Sequence, residues 1–420
     1  MKYESSNIYI EKESIYGAAN YQPLPVVLAR GSGAYLWDID DNKYLDMMSA
    51  YSAVSHGHSH PELVDTMHKQ SMKLAITSRA FYTEPFAEYI EYLSKVSGFE
   101  AVLPMNTGAE AVETAIKAAR RWGYFSKGIP ENKAEIIVGE GNFHGRTSTI
   151  VGFSTDEDYK KGFGPFSDGF IAADYCGHGK NLKESIASIK NSINENTCAV
   201  LLEPIQGEGG IIIPEKGWLK ELRELCTENN VLLILDEIQS GLGRTGKLFA
   251  FEHEDIVPDG LILGKALGGG LMPVSAFLSS REVMDHFNPG SHGSTFGGNP
   301  LSAAVAKRAL ELLYEDKLIE NSDILGKFFL GELQRLNHPI IKEVRGRGLW
   351  IGMEFHESKT SAKDICKMLL KEGILSKETH KTVIRFAPPL MIKKSEIEWA
   401  MTKISKGLNS IKRFNYEVPI

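Results

Sequence analysis

Two short apolar segments that each end in a charged residue constrain the fold of this chain most. Residues 231–235 precede Asp236, and residues 260–264 precede Lys265. Each segment has the length and composition of a buried strand, and the two charged residues are about 30 residues apart, the size of one βαβ step. In an open parallel sheet the carboxyl ends of the strands share one edge. The pattern therefore predicts that Asp236 and Lys265 face a single crevice.

An acid and a lysine over one pocket indicate a particular chemistry. A lysine at the end of a buried strand loses water, which lowers its pKa and makes the neutral amine available for a Schiff base. An aspartate beside a pyridine nitrogen keeps that nitrogen protonated, so that the ring acts as an electron sink. The pair predicts a pyridoxal 5'-phosphate site with Lys265 and Asp236 as catalytic residues. Segment 260–265 by itself also fits a solvated lysine in a flexible loop, and it is the upstream strand that favours the site.

Size and charge limit the class of protein. A chain of 420 residues exceeds the usual size of a single core, so two unequal domains are expected. The formal net charge is −7 and no basic block is present, which argues against a nucleic-acid partner.

Cysteine usage and the N-terminal residues bear on the compartment. No two cysteines form a CxxC pair, which argues against a zinc site or a disulfide framework; they are Cys176, Cys198, Cys226 and Cys366. The N-terminal residues lack the apolar core of a signal peptide, and no apolar run approaches the roughly 18 residues of a membrane span. We therefore expect a cytoplasmic protein with no membrane contact.

A phosphate-binding turn is predicted after the strand that begins near residue 101. Asn106, Thr107, Gly108 and Ala109 join this strand to a segment with helical spacing of apolar residues. The amides of Gly108 and Ala109 and the hydroxyl of Thr107 can point at an anion at the helix N-terminus. Simple helix capping by Thr107 is the alternative.

The next predicted strand, residues 135–140, leads to an aromatic residue and an arginine. Phe143 is placed to stack on a planar ring, and the guanidinium of Arg146 can bind a carboxylate in a bidentate manner. Phe143 and Arg146, together with Lys265 and Asp236, form a combination that indicates one family of enzymes.

The chain from about Tyr16 to about Lys406 resembles the class III pyridoxal-phosphate aminotransferases, and within that family it is most similar to the members that act on ornithine. The resemblance implies an α/β protein of fold type I: a large αβα domain with a mostly parallel sheet, and a smaller α/β domain built from both termini. The expected division is an N-terminal arm and part of the small domain at 1–50, the large domain at 51–305 and the C-terminal small domain at 306–420. It also implies a homodimer with sites at the interface.

The same resemblance assigns further site residues. The cofactor would contact Thr107, Gly108, Ala109, Phe143, Asp236, Gln239, Lys265 and, from the neighbouring subunit, Thr295. The substrate would contact Tyr21, Tyr51, Arg146, Glu208 and Arg385, with Glu208 pairing with Arg385. His144 departs from the family pattern, which usually has a second aromatic residue there, and this predicts a more polar outer face of the cofactor.

The implied reaction moves the δ-amino group of L-ornithine to 2-oxoglutarate, giving glutamate and glutamate 5-semialdehyde, which cyclises to pyrroline-5-carboxylate. Another class III activity on acetylornithine or 4-aminobutyrate, or a racemase or epimerase on the same scaffold, remains an alternative. Residues 241–247 match the GxxxxGK pattern of a nucleotide-binding loop, but Leu248 replaces the Ser or Thr that holds magnesium. His56, His58 and His60 have no nearby acid to complete a metal site, so no metal is expected.

Overall fold

The computed structural model describes residues 6–411, so the first five and last nine residues of the expected terminal domain ranges lie outside the described residues. The strands, in chain order, are β1 Leu28–Ser32, β2 Tyr35–Asp38, β3 Lys43–Asp46, β4 Ala101–Met105, β5 Glu135–Gly139, β6 Phe170–Ala173, β7 Thr197–Leu202, β8 Leu232–Asp236, β9 Gly260–Leu263, β10 Ser275–Ser279, β11 Ile341–Gly346, β12 Ile351–Phe355, β13 Ile374–Leu375, β14 Lys377–Thr379 and β15 Val383–Phe386.

The α-helices are Ser6–Tyr16, Pro61–Lys73, Glu84–Ser97, Gly108–Trp122, Ser148–Gly152, Glu157–Lys160, Leu182–Ser192, Trp218–Glu228, Arg281–Met284, Pro300–Glu315, Leu318–Gln334, Ala362–Lys371 and Lys394–Ser410. Short 3-10 turns cover Ala250–Glu254 and Lys265–Gly268, and a π-helical turn covers Gly123–Lys127. Across residues 6–411 no helix combines the length and apolar character needed to cross a membrane.

The central sheet has seven strands in the order β4-β10-β9-β8-β7-β5-β6. Strand β10 is antiparallel to both of its neighbours, and the remaining pairs are parallel. The mostly parallel sheet expected from the sequence is therefore confirmed. Its central strands are apolar and buried throughout, as is typical of parallel sheets that are covered on both faces.

Alternate residues of the central strands enter two separate cores, one on each face of the sheet. On strand β8, Leu233 and Leu235 join the larger core, whereas Leu232 and Ile234 join the other. Helix Gly108–Trp122 covers the second face because its apolar residues recur at helical spacing; those buried against the sheet include Val112, Ala115, Ile116, Ala119 and Trp122. The result is a three-layer αβα arrangement.

Two four-stranded sheets, with the orders β1-β2-β3-β13 and β11-β12-β15-β14, accompany the central one. Leu45 of β3 pairs in parallel with Ile374 of β13, so segments from both ends of the chain share one sheet. The smaller α/β unit built from both termini is thus present.

The connection between β8 and β9 differs from the expected βαβ step because it contains no α-helix. A series of turns leads to the 3-10 turn Ala250–Glu254. The buried carboxylate of Glu237 accepts hydrogen bonds from the backbone N–H groups of Ala250 (2.6 Å) and Phe251 (2.9 Å). These two hydrogen bonds, and not the backbone hydrogen bonds of an α-helix, hold the connection in place.

The GxxxxGK segment lies within this connection, and one of its residues bonds to the C-terminal part of the chain. Arg244 is fully buried, and its guanidinium donates to the carbonyls of Leu349 (2.9 Å) and Pro388 (2.6 Å). Burial lowers the pKa of Arg244 to about 9. The segment therefore ties the large sheet to the C-terminal part of the chain through its arginine.

Candidate active site

A cavity of about 210 Å³ opens at the carboxyl ends of the central strands. Strands β8 and β9 are parallel neighbours, so the residues that follow them lie side by side. The cavity is lined by Gly108, Ala109, Phe143, His144, Gly145, Glu203, Ile205, Asp236, Ile238, Gln239, Ser240 and Lys265. The prediction that Asp236 and Lys265 face one crevice is confirmed.

Lys265 begins the 3-10 turn that follows β9, and its backbone has φ +44°. This left-handed conformation is unfavourable for a residue with a side chain, and such strain is commonly found at functional sites. Burial lowers the pKa of the Lys265 amine, and the nearby carboxylates of Glu208 and Asp236 offset that effect only in part. The neutral amine is consequently more accessible than on a surface lysine.

Asp236 is buried at the end of β8 with both carboxylate oxygens engaged. Its Oδ2 lies 2.7 Å from Nδ1 of His144, and its Oδ1 accepts a hydrogen bond of 3.0 Å from the N–H of Ile238. Burial acts to lower the pKa of His144, but the hydrogen bond and charge of Asp236, together with Glu203, outweigh it and raise that pKa. Asp236 thus favours the protonated form of His144.

His144 lines the cavity, and the more polar outer face of the cofactor that it predicts stays a prediction. Its side chain is fully buried, and its polar edge is directed at Asp236. The Nε2 atom has no hydrogen-bond partner within residues 6–411. His144 therefore acts on Asp236, a role that no residue spacing in the sequence indicates.

Glu203 adds a second buried carboxylate beside Asp236 and His144. It accepts hydrogen bonds of 3.0 Å from the N–H groups of Phe143 and Gly207. Burial raises the pKa of Glu203 to about 7, with the charge of Asp236 adding to the increase and His144 opposing it. Sequence reasoning assigned Glu203 no role, although an acid directly after the buried strand β7 is the same signal that identified Asp236.

The N-terminus of helix Gly108–Trp122 faces the cavity through Gly108 and Ala109. As first residues of the helix, they have N–H groups with no acceptor inside it, and such groups bind anions. Gly108 also permits close packing, because a Cβ there would lie 2.9 Å from Cδ1 of Ile238. Thr107, in contrast, forms a capping box with Glu110 and is not among the lining residues.

Phe143 stands at the open side of the cavity with two partners. Its ring meets that of Tyr159 edge to face at a centroid distance of 5.9 Å. The guanidinium of Arg146 lies 4.2 Å from the Tyr159 ring and 5.4 Å from the Phe143 ring. Tyr159 was not expected from the sequence, because it lies in a separate short helix 13 residues beyond Arg146.

The predicted pair of Glu208 and Arg385 is present. Nη1 of Arg385 donates to Oε1 of Glu208 at 2.5 Å, and the arginine is almost fully buried. The ring of Tyr51 covers the guanidinium at 5.2 Å. Burial raises the pKa of Tyr51, with Arg385 acting in the opposite direction. The charge of Glu208 also acts on Lys265, which places the pair within reach of the cavity electrostatically.

Tyr51 belongs to a left-handed turn, Ser49–Ser52, in which all four residues have positive φ. Oδ1 of Asp46 stabilises the entry to the turn by accepting from the N–H groups of Met48 (2.9 Å) and Ser49 (2.8 Å). The carbonyl of Tyr51 accepts a 3.3 Å hydrogen bond from Nε2 of Gln239. This turn thus links the cavity to Arg385.

His56, His58 and His60 each form a hydrogen bond that stabilises this part of the structure. His58 bonds to Oδ2 of Asp46 at 2.7 Å, His56 to the carbonyl of Ala309 at 2.8 Å and His60 to Asp316 at 3.3 Å. Within residues 6–411 no group of His, Cys, Asp and Glu side chains is arranged to hold a metal ion.

Three of the predicted site residues neither line the cavity nor lie on its approach in this chain: Thr107, Tyr21 and Thr295. Tyr21 is 70% exposed and contributes, after larger causes, to raising the pKa of Tyr51. Thr295 is exposed in a turn before helix Pro300–Glu315 and does not line the cavity. The chain therefore brings together Gly108, Ala109, Phe143, Asp236, Gln239 and Lys265, with Arg146, Tyr51, Glu208 and Arg385 on the approach.

Comparison with known proteins identifies close relatives. Residues 16–408 match the model of the family described as aminotransferase class-III. The chain is 52% identical over 404 residues to an ornithine aminotransferase of Brevibacillus brevis, covering 96% of this chain and 98% of that one. An ornithine aminotransferase of Toxoplasma gondii, described with partial occupancy of PLP at its active site, superposes with a TM-score of 0.94 at 41% identity, covering 97% and 95% of the two chains. An acetylornithine aminotransferase of Elizabethkingia anophelis has a TM-score of 0.86 at 43% identity, covering 97% of this chain and all of that one.

Proposed function

The chain belongs to the class-III aminotransferases, and from that premise we propose that it transfers the δ-amino group of L-ornithine to 2-oxoglutarate. The products are glutamate and glutamate 5-semialdehyde, which cyclises to pyrroline-5-carboxylate. The ornithine aminotransferases that match nearly the whole chain support this choice of substrate. The observation that carries it is the buried pair of Glu208 and Arg385, because it offers a cation that can be masked for one substrate and exposed for the other.

The residues of the cavity fit pyridoxal 5'-phosphate. The free amides of Gly108 and Ala109 suit its phosphate, the ring of Phe143 suits its ring, and Asp236 suits its pyridine nitrogen. Gln239 borders the same space, and Lys265 would hold the cofactor covalently. When bound, pyridoxal phosphate supplies the electron sink on which amino transfer depends.

Lys265 acts as the general base of the reaction. Its Nζ takes a proton from the amine-bearing carbon of the substrate and returns it during transfer. Because burial lowers its pKa, the neutral amine that accepts the proton is more accessible than on a surface lysine. The 2.7 Å contact with His144 fixes the position of the Asp236 carboxylate that would meet the pyridine nitrogen of the cofactor.

Two arginines bind the substrate carboxylates. Glutamate and 2-oxoglutarate carry two carboxylates and use Arg146 and Arg385. Ornithine carries one carboxylate, held by Arg146, while Tyr21 contacts its α-amino group. During the ornithine half-reaction Glu208 neutralises Arg385, so that the distal ammonium is not repelled, and Tyr51 covers the same guanidinium.

Activity on N-acetylornithine is the second candidate, favoured by the similarity to the Elizabethkingia enzyme. Tyr21 and residues 77–82 argue against it, as they do against 4-aminobutyrate. The test is a product assay with purified protein, pyridoxal phosphate and 2-oxoglutarate, in which ornithine, N-acetylornithine and 4-aminobutyrate compete as donors. Formation of pyrroline-5-carboxylate and glutamate from ornithine supports the proposal, whereas faster turnover of either other donor overturns it. Inversion of the α-carbon without any oxo acid would identify a racemase.

We also propose that the protein is a cytoplasmic homodimer. Its chain divides into the N-terminal arm with part of the small domain (1–50), the large domain (51–305) and the C-terminal small domain (306–420). Large apolar side chains are exposed close to Thr295, which supports a subunit interface there; they are Met72, Leu74, Ile76, Phe81, Tyr82 and Phe296. The backbone bond from Leu301 to Ala75 shows that the two segments carrying these residues are adjacent. In the dimer Thr295 contacts the cofactor phosphate of the neighbouring subunit. The four cysteines are free and buried, which is compatible with a reducing compartment.

A further inference from the structure

Three residues form a row across the second small sheet, with a glycine between two arginines. Arg345 of β11 is paired with Gly352 of β12, and Gly352 is paired with Arg385 of β15. Residues directly opposite each other on neighbouring strands project from the same face of a sheet. Gly352 therefore leaves a gap between two cationic side chains.

The loop that carries Glu208 lies across this gap. A Cβ on Gly352 would lie 3.1 Å from the carbonyl oxygen of Gly210 and 3.2 Å from Cβ of Ile211. Those distances are shorter than ordinary van der Waals contact, so only glycine allows the loop to rest on the sheet in this position.

Arg345 holds the backbone of the loop at its most strained point. Its Nε donates to the carbonyls of Gly210 and Ile211, each at 3.1 Å, and its Nη2 donates to Gly210 at 2.7 Å. Ile211 has φ +56°, which is rare for a β-branched residue. A conformation of this kind persists only where its surroundings enforce it. The guanidinium itself is fixed by the largely buried Glu354 (2.6 Å), whereas its contact with the exposed Glu343 (2.7 Å) contributes little.

A second bond fixes the backbone of Glu208 itself. The hydroxyl of Thr379, on β14, donates to the Glu208 carbonyl. Strand β14 pairs with β15, which carries Arg385. One sheet therefore holds the backbone of Glu208 through Thr379 and its side chain through Arg385.

We propose that Arg345, Thr379 and Gly352 are positioning residues that fix the Glu208 loop on the sheet bearing Arg385, so that the Glu208–Arg385 pair opens by rotation of side chains over a stationary backbone. The inference rests on the proposed function, since it is there that the pair selects between substrates. The three residues thereby set how strongly the pocket prefers one carboxylate over two.

The test compares Arg345→Gln, Thr379→Val and Gly352→Ala in the holoenzyme. Glutarate and pentanoate serve as unreactive probes of equal chain length with two carboxylates and one. The matched controls are Glu343→Gln, which removes an exposed partner of Arg345 that does not touch the loop, and Thr379→Ser, which keeps the hydroxyl. Amide hydrogen exchange at Gln206 and Ile212, which bond to each other across the base of the loop, reports its order.

A loosened loop weakens the masking of Arg385. We expect each of the three variants to bind glutarate about two- to tenfold more tightly relative to pentanoate, the effect of about one hydrogen bond. The KM for ornithine rises by a similar factor, and loop amides exchange faster. Both controls resemble the unaltered enzyme. Because the probes require no turnover, the result stands even if ornithine is not the donor.

Two results would overturn the proposal. An unchanged ratio of glutarate to pentanoate affinity, with faster exchange in the variants, would mean that these residues support the fold only. Faster exchange at Gln206 and Ile212 when glutarate binds the unaltered enzyme would show that the backbone moves during opening.

Discussion

His144 and Asp236 form one buried hydrogen-bonded unit, with Nδ1 and Oδ2 2.7 Å apart and both side chains almost excluded from solvent. The imidazole gives the carboxylate a fixed partner, and the carboxylate raises the pKa of the imidazole against the effect of burial. Asp236 therefore favours the protonated form of His144, and His144 fixes the position of the carboxylate. Since Asp236 is the proposed partner of the cofactor nitrogen, His144 would act on the cofactor through Asp236.

Replacing His144 with phenylalanine tests this dependence. Among residues 6–411, the variant leaves Asp236 with the N–H of Ile238 as its one hydrogen-bond donor. We expect unfolding free energy to fall by about 1.5–3 kcal/mol, the range for a hydrogen bond to a charged group, and the rate of both half-reactions to fall together. Urea unfolding and single-turnover absorbance measure the two effects. His144→Asn, which keeps an N–H donor, is the control, and the idea fails if both variants behave alike.

A second prediction concerns Lys265. Lys265→Ala should bind pyridoxal phosphate only reversibly, so that borohydride treatment followed by denaturation releases all of the cofactor, whereas the unaltered protein retains it covalently. The control is Lys247→Ala, which removes the exposed lysine of the GxxxxGK segment and should leave cofactor retention unchanged. Covalent retention by Lys265→Ala would assign the linkage to another lysine. Loss of cofactor retention in Lys247→Ala would instead indicate that the 241–247 loop holds the cofactor.

Much of the fold could be predicted because the local patterns agree with the global arrangement. Strand β8 is an apolar run that ends in Asp236, and the apolar strand β9 is followed closely by Lys265. Burial on both faces of a parallel sheet requires such apolar runs. The connection between them could not be predicted from its length. Its anchor is the carboxylate of Glu237, and hydrogen bonds from a side chain to a distant backbone leave no periodic signal in the sequence.

In the candidate site, too, some features could be predicted from the sequence and others could not. Residues at strand ends and at a helix N-terminus could be placed because topology brings them together. The contact of His144 with Asp236 depends on a rotamer, and Tyr159 reaches Arg146 through a loop whose path the sequence does not specify. The left-handed turn that carries Tyr51 contains no glycine, so nothing in its composition indicates four consecutive positive φ angles.

A pH prediction follows from Glu203. Its pKa is raised from 4.5 to about 7, so the folded protein binds a proton there more tightly than the unfolded chain. The stability from this group is fully present below about pH 4.5 and is lost as the pH rises through about 7. Glu203→Gln removes that loss. The difference in unfolding free energy between variant and unaltered protein should change by as much as about 3 kcal/mol in favour of the variant across this range.

Urea unfolding of the cofactor-free protein at several pH values measures that difference. Because only the slope with pH is compared, any constant cost of placing an amide beside the N–H groups of Phe143 and Gly207 cancels. A pH-independent difference would show that folding does not raise the pKa of Glu203.

Assembly provides a fourth prediction. Thr295 is exposed in a single chain, so a role at the cofactor phosphate requires a second subunit. Thr295→Ala should weaken cofactor affinity by about 1–3 kcal/mol, while sedimentation still shows a dimer. Thr360→Ala serves as the control, because Thr360 is half-buried and does not line the cavity. A fully active monomer, or equal cofactor affinity in both variants, contradicts the shared site.

The last prediction concerns substrate choice. Glu208→Ala leaves Arg385 buried without its anionic partner, and such a cation favours a second carboxylate over a distal ammonium. The variant should shift toward glutamate and away from ornithine, whereas Arg385→Ala should shift in the opposite direction. Charge-pair effects of about 2–5 kcal/mol correspond to changes of tenfold or more. Tyr21→Ile should lose ornithine turnover and gain on ω-amino acids that have no α-amino group.

Single-turnover rates for each half-reaction separate these effects from general damage. Glu208→Gln is the informative control because it keeps the size of the side chain and a hydrogen-bond acceptor for Arg385 but removes the charge. If neutralisation of Arg385 is the function of Glu208, the Gln and Ala variants shift in the same direction, with the larger shift in Ala. Equal losses in both half-reactions for Glu208→Ala would instead mean that the pair supports the packing of Tyr51 against Arg385 and does not select substrates.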